Sequence, residues 1–382
     1  MNSVKDENSS LIKRRVILRT SHNDYNALSR DRASLTERLG APDNMGITPA
    51  AQLVTRITRG SDLDDIFSVV RNDFAKVDAL IPRQMTSDIA LVSEIGRYIV
   101  DSGGKRLRPL IVLLVARASG YQGDAHVRLA TLVEFLHTAT LLHDDVVDRS
   151  GRRRGRATAN ALWGNAPSVL VGDFLYSRAF QLMVDLDSMD LMAIISDATN
   201  VIAEGEVLQL ENIGNAELTE NDYLEIIRCK SALLFQAAAH TAIVLSNDDP
   251  ETISGYRNFG LHFGLAYQLV DDWLDYAGDS QLMGKNVGDD LAEGKVTLPL
   301  IATIKEGSRQ EATLVRNAIS SRSDRHLSAV IKAVCRSGAL DYTKSRAEEE
   351  AGLALDCLAS LPRSVYRDAL ENLTTFATSR MR

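Results

Sequence analysis

Between Leu110 and Leu298 the chain contains two prolines, Pro167 and Pro250, and the whole 382-residue sequence has 8. Proline removes a helical N–H donor and clashes with the preceding turn, so helix interiors exclude it. So long a stretch with two breakers rules out a loop-rich sandwich or barrel and predicts long helices. Hydrophobic residues make up 45% of the chain and charged residues 25%, enough apolar matter for a large core. No strand-like alternation persists along the chain, and the predicted class is all-α.

Residues 1–60 read differently from the rest. They carry ten basic and six acidic residues, with turn signals at Gly40, Pro42, Asn44 and Pro49. They are expected to be a disordered extension, with Met45 as an alternative start. Ser61 and Asp62 are the expected caps of an amphipathic run through Ile66, Val69, Val70, Phe74 and Val77. From there the helical signals continue to the C-terminus without a linker, which predicts one domain over residues 61–382. SGGKRLRP leads to Pro109 in the first turn of a helix hydrophobic on all sides, and such a helix belongs at the centre. Helical spacing then runs from Leu129 into HTATLLHDDVVD. A basic loop (RSGRRRGRATAN) and a helix opened by Pro167 follow. Thr219 and Asp222 form a capping box for a helix towards Val244. A further helix ends in LAYQLVDDWLDY, and shorter ones are expected near 309–320, 325–336, 340–359 and 363–379.

The chain has 43 basic and 51 acidic residues, a net charge of −8. That balance excludes general affinity for nucleic acid or anionic membranes. Cys229, Cys335 and Cys357 lie far apart with no CxxC pair, which argues against a disulfide scaffold. The longest apolar run, Pro109 to Ala116, is far short of the ~20 residues of a membrane span. The first twenty residues lack an apolar core for a signal peptide. The expected location is cytoplasmic.

Two acidic clusters share one form, DDVVD at Asp144–Asp148 and DDWLD at Asp271–Asp275. Positions i and i+4 share a helix face, so Asp144 stacks beside Asp148 and Asp271 beside Asp275. Stacked carboxylates repel unless something offsets the charge, and Mg²⁺ does so while retaining waters and binding phosphates. A solvated acidic face accounts for one such cluster more readily than for two, each ending an apolar helix. Basic residues answer them: Lys105, Arg106 and Arg108 in a glycine-bracketed loop; Arg152, Arg153, Arg154 and Arg156 after the first cluster; Lys230, followed by Ser231, on an apolar helix; Lys285 and Lys295 around Asp289 and Asp290. Carboxylates with metal, ringed by Arg and Lys, suit a diphosphate. His137 lies about two turns before Asp144, on roughly its face, whereas His143 reads as structural.

Taken in order, GGKRLRP, EFLH, DDVVD with RRG after it, GDFLYSRAF, IAEGEVLQL, KSALLF, YQLVDDWLDY and GKNVGDDLAEGKVTLPL resemble the trans-isoprenyl diphosphate synthases. The likeness covers roughly residues 61–382 and is closest to the long-chain, octaprenyl type. It implies an isoprenoid synthase fold, with helices around a deep apolar cavity, and a homodimer. It also implies two to three Mg²⁺ ions and sequential addition of isopentenyl diphosphate to an allylic diphosphate such as farnesyl diphosphate. By position, Lys105, Arg108, His137 and Arg154 would hold the isopentenyl diphosphate. Asp144, Asp148 and Asp271 would hold Mg²⁺, and Arg153, Lys230, Ser231 and Gln268 would contact the allylic substrate. With Lys230, those three aspartates form the expected catalytic set.

A growing apolar product needs a tunnel away from the diphosphates. Ala139 and Thr140 stand five and four positions before Asp144. In this family small side chains there let the product pass, which points to roughly 40–50 carbons. Leu136, Val133, Phe180 and Met183 are the expected floor. Such a product is apolar enough for transient contact with a bilayer during release. A shorter-chain synthase and a class I terpene cyclase are the nearest alternatives. Against the cyclase stand the 5% aromatic content, low for a cation-shaping pocket, and the second DDxxD. A non-catalytic partner subunit should have lost an acidic cluster or the basic residues. A metal phosphohydrolase built on His143 and Asp144 lacks further histidine ligands.

Overall fold

The computed structural model describes residues 63–246, 249–277, 288–321 and 324–381. The extension at 1–60, Met45, the caps at Ser61 and Asp62, and Lys285 all lie outside the described residues. The predicted amphipathic run divides at Val70 into α1 (Leu63–Val69) and α2 (Arg71–Gln84), with Ile66, Val70 and Val77 buried. After α3 (Ala90–Asp101) the glycine-basic loop ends at Arg106, whose φ is +44°, and opens α4 (Leu107–Ala118). Pro109 sits in its first turn, and every side chain from Leu110 to Ala116 is 0% exposed. A helix apolar on all faces has no solvent side, so others surround it. Each large aliphatic side chain so buried contributes roughly 1.5–3 kcal/mol.

Helix α5 (Ala125–Val147) carries the first acidic cluster on its last turn, with Asp148 as its C-cap. The basic segment expected as a loop is instead a hairpin, β1 (Arg152–Arg153) and β2 (Arg156–Ala157), paired Arg153 to Arg156. Its two turn residues, Arg154 and Gly155, have φ of +53° and +76°, as a two-residue hairpin requires. The strand pattern was hidden because charged residues, not alternating apolar ones, flank the glycine. Tyr98 of α3 holds the hairpin by donating its hydroxyl to the Ala157 carbonyl at 2.7 Å. Then come α6 (Ala159–Trp163), α7 (Asn165–Val184) and α8 (Met189–Glu211). Helix α8 is not among the helices expected from the sequence; Ser188 caps it by accepting from the Leu191 amide at 3.3 Å.

The Thr219 capping box is present, its hydroxyl accepting from the Asp222 amide at 3.2 Å, and it opens α9 (Glu220–Ile227). The expected continuous helix is interrupted by a π-helical segment, Arg228–Ala232, before α10 (Leu233–Val244). Next is α11 (Pro250–Ala277), the 28-residue helix that ends in the second cluster. The remainder comprises α12 (Asp289–Glu293), α13 (Leu298–Glu306), α14 (Arg309–Ser321), a 3₁₀ turn at Asp324–His326, α15 (Leu327–Arg336), α16 (Ala339–Ala359) and α17 (Val365–Ser379). Helix α11 packs along α10 on one side and α16 on another, and α5 packs along α7.

Two glycines set how closely the π segment is held. A Cβ on Gly264 of α11 would lie 2.6 Å from the Ala232 Cα, and one on Gly205 of α8 would lie 2.7 Å from the Cys229 Cβ. The segment bearing Lys230 and Ser231 is therefore gripped from two sides by bare backbone. Gly264→Ala should destabilise the protein by about 1–3 kcal/mol through overpacking, despite alanine's better helix propensity. Thermal denaturation of the variant checks this; a melting temperature at or above that of the parent would refute the tight grip.

Candidate active site

Both acidic clusters line one cavity of about 440 Å³. The end of α5 is fixed by side chains that follow it. Asn160 donates to the carbonyls of Asp145 and Ser150 at 3.0 and 3.2 Å, and Thr158 donates to Ser150 at 2.7 Å. These bonds satisfy helix-end carbonyls that would otherwise lack partners. Asp144 and Asp148 thereby face the cavity, while Asp145 is 4% exposed and receives Arg153 Nε and Nη2, each at 2.8 Å. In the second cluster Asp271, Asp272 and Asp275 all reach the cavity wall, but Asp272 and Asp275 are buried. Asp272 accepts from the Tyr223 hydroxyl at 2.5 Å and from Gln268 Nε2 at 2.7 Å. Burial, reinforced by Asp290, pushes its carboxyl up to about 7 despite those bonds.

Asp144, Asp148 and Asp271 each already have a cation. Lys230 is 3.5 Å from Asp144; it also donates to Gln209 at 2.8 Å and pairs with Glu206. Lys295 bonds Asp148 at 2.6 Å and Glu293 at 2.7 Å. Burial works against the Lys295 charge, but Glu293 and Asp148 hold the ammonium well above its ordinary value. Arg380, just past α17, bonds Asp271 at 2.7 Å and lies over the Tyr267 ring at 5.0 Å.

The basic face comes from the α4 loop and the hairpin. Arg108 stacks on Phe235 at 4.0 Å, and its Nη1 is 3.2 Å from His137 Nε2. Burial lowers Arg108 to about 10, with Glu134 opposing. Burial first, then Arg108 and Arg154, pushes His137 well below its ordinary value, so its imidazole is neutral at neutral pH. Arg154 folds back over the glycine loop and donates to the Gly103 carbonyl. A Cβ on Gly104 would lie 2.4 Å from its Nη1.

Lys105, Arg108, His137, Arg153, Arg154, Lys230, Ser231 and Gln268 all line this cavity with Asp144, Asp148 and Asp271. Several of them are engaged within the protein: Arg153 by Asp145, Gln268 by Asp272, Lys230 by Glu206 and Gln209, and Arg154 by the Gly103 carbonyl. Of the tunnel residues, Thr140 lines the cavity, while Ala139 and Leu136 are 0% and 2% exposed inside the main apolar cluster. Helix geometry explains the split: at ~100° per residue, Thr140 lies near Asp144's azimuth and Ala139 about 140° from it. Met183 is buried in the same cluster, and Phe180 is 39% exposed. His143 lies by the Val169 carbonyl and Asp173, at 3.2 and 3.3 Å.

Sequence reasoning missed Glu206 and Gln209, whose i, i+3 polar spacing on an apolar helix was an available signal. It also missed Glu134, whose Oε2 is buried without a partner, and Arg380, which belongs to no cluster of like residues. Among the described residues no three His, Cys, Asp or Glu side chains close into a metal cage. The set nevertheless fits Mg²⁺, which takes one or two carboxylates and completes its shell with water and phosphate oxygens. The open cavity and the all-oxygen donors meet that need.

A match to the polyprenyl synthetase family spans residues 89–336. The chain is 50% identical to octaprenyl diphosphate synthase of Escherichia coli K12 over 322 residues, covering 84% of this chain and 100% of that one. It is 49% identical to the all-trans-nonaprenyl-diphosphate synthase (geranyl-diphosphate specific) of Rhodobacter capsulatus over 318 residues, 83% of this chain and 98% of that one. Its fold is similar to a Caulobacter crescentus polyprenyl synthase complexed with calcium and isoprenyl diphosphate, with a TM-score of 0.82 and 44% identity, covering 85% of this chain and 99% of that one. A decaprenyl diphosphate synthase from Rhodobacter capsulatus gives 0.79 and 42%, covering 84% and 100%. With its all-α isoprenoid synthase fold and its paired acidic clusters on one cavity, the chain belongs to the polyprenyl synthetase family.

Proposed function

We propose that this chain is a long-chain, all-trans polyprenyl diphosphate synthase. It condenses isopentenyl diphosphate stepwise onto an allylic diphosphate such as farnesyl diphosphate, releasing diphosphate each time. The observation that carries this reading is the meeting of two DDxxD clusters and a full set of lysines and arginines on one cavity. Lys105, Arg108, neutral His137 and Arg154 bind isopentenyl diphosphate. Lys230, Ser231, Arg153 and Gln268 serve the allylic diphosphate, and Arg153 and Gln268 act through Asp145 and Asp272. Asp144, Asp148 and Asp271 hold Mg²⁺, two to three ions as the family implies. Bound there, Mg²⁺ supplies positive charge to the departing diphosphate oxygens.

The chain's own cations do the rest. Lys230 and the arginines stabilise the charge that develops as the allylic C–O bond breaks, an effect largest in the transition state. Lys105, Arg108 and His137 hold the second substrate so that its double bond meets the allylic cation. The new C–C bond leaves a tertiary cation, and loss of a proton to the departed diphosphate restores an alkene. No protein nucleophile is needed.

Residues 61–382 form the catalytic domain in this reading, and 1–60 are an extension to it. A homodimer is supported by exposed apolar side chains on α7 and α8, including Leu170, Val184, Val207 and Leu210. No helix among the described residues is long and apolar enough to cross a membrane. A cytoplasmic location, with passing bilayer contact during product release, is consistent with that.

Incubation with farnesyl diphosphate, isopentenyl diphosphate and Mg²⁺ should give linear prenyl diphosphates of roughly 40–50 carbons, and EDTA should abolish the product. Cyclic hydrocarbon or simple hydrolysis would overturn the reading. Ala139→Phe and Thr140→Phe should both shorten the product while the first condensations continue. Ala139→Phe should also cost about 1–3 kcal/mol of stability, because its ring must enter the packed core. Chromatography of the dephosphorylated prenols checks this, and unchanged lengths in both variants would remove the tunnel assignment. Folded His137 resists protonation, so its contribution to stability is complete above the unfolded value of about 6.5 and is lost as pH falls below it. His137→Gln should therefore move the acid-unfolding midpoint to lower pH by circular dichroism. An unmoved midpoint would contradict the neutral assignment.

A further inference from the structure

Arg380 has no place in the reaction as described. It follows the last turn of α17, and Met381 beside it is 3% exposed, which fixes the end of the described chain against the fold. Its side chain is 19% exposed and reaches the cavity that both acidic clusters line. There the guanidinium bonds Asp271 at 2.7 Å and rests over Tyr267, and its Nη1 is buried without a hydrogen-bond partner. Lys105 shares the corner, its Nζ 5.9 Å from the Tyr267 ring and 5.7 Å from the ring of Phe376, one turn before Arg380.

An arginine so placed cannot be neutralised by losing its proton. If Asp271 turned to another cation, the guanidinium would be left partly buried, with a ring face on one side and the ammonium of Lys105 nearby. A charge in that position is costly until an anion replaces the lost carboxylate. We propose that Arg380 is the resident counter-cation of Asp271, and that it yields this carboxylate to a divalent cation when a diphosphate enters to receive the guanidinium. Arg380 thereby makes metal uptake at the second cluster conditional on the anionic ligand. The proposal rests on the reading that Asp271 is a metal ligand.

The test is Mn²⁺ binding to the full chain, followed by the electron paramagnetic resonance of free Mn²⁺, with and without inorganic diphosphate. Circular dichroism establishes that each variant is folded. Arg380→Gln should tighten Mn²⁺ binding in the absence of diphosphate by about fivefold or more, on the scale of an ion pair at a partly exposed site. It should also shrink the enhancement that diphosphate brings. Arg380→Met, which keeps the aliphatic stem, should behave in the same way, and Arg380→Lys should stay near the parent. In an Asp271→Asn background the effect of Arg380→Gln should vanish. If Asp271→Asn weakens Mn²⁺ binding but neither Arg380→Gln nor Arg380→Met changes it, the counter-cation role is overturned and the metal reading stands. If Asp271→Asn leaves Mn²⁺ binding with diphosphate unaltered, the metal reading itself fails, and the proposal with it.

Discussion

Carboxylates and cations matched across a single cavity are the constraint around which this structure is organised. The described wall carries eight acidic and eight basic side chains, although the chain as a whole has a net charge of −8. The pairs join distant parts of the sequence. Lys230 ties the π segment to the end of α5, Lys295 ties the loop before α13 to the same helix, and Arg380 ties the end of α17 to α11. Buried or half-buried charges without partners would cost several kcal/mol each. Local balance is therefore a condition for the apolar helices to close around so polar a centre.

That balance also suits the chemistry. A site of matched charges accepts a diphosphate together with metal at little net change in field. Aromatic faces refine it: Phe235 under Arg108 and Tyr267 under Arg380 hold guanidinium groups in fixed planes without offering a carboxylate that would compete for them. Glu134, raised by burial despite Arg106 and Arg108, sits beside the same arginines.

The helices and the two acidic motifs were legible because their signals are local. Proline scarcity, the Thr219 capping box and the all-apolar run behind Pro109 each act within a few residues. Their elements are present, the first as long helices, the others as α9 and α4. The hairpin was not legible, since Arg153 is drawn inward by the burial of Asp145 and the outer strand rests on Tyr98, 59 positions before Ala157. Arg380 was invisible for the same reason: its partner is more than a hundred positions away. Ala139 shows a subtler limit. Its count from Asp144 does not tell which helix face it takes, and the helical angle turns it to the apolar cluster beside Leu136, while Thr140 lines the cavity.

The π segment Arg228–Ala232 stores part of the site's geometry as a fraction of a turn. Each residue of an α-helix rotates the chain by ~100°, and the wider π turn inserts one residue between α9 and α10. Deleting any one residue there would let the two helices merge into a single regular one. The Thr219 cap and the packing of α10 on α11 would then lie on faces rotated against each other. The composition of the segment can therefore vary more freely than its length, and Lys230 is aimed by a residue count as much as by its neighbours.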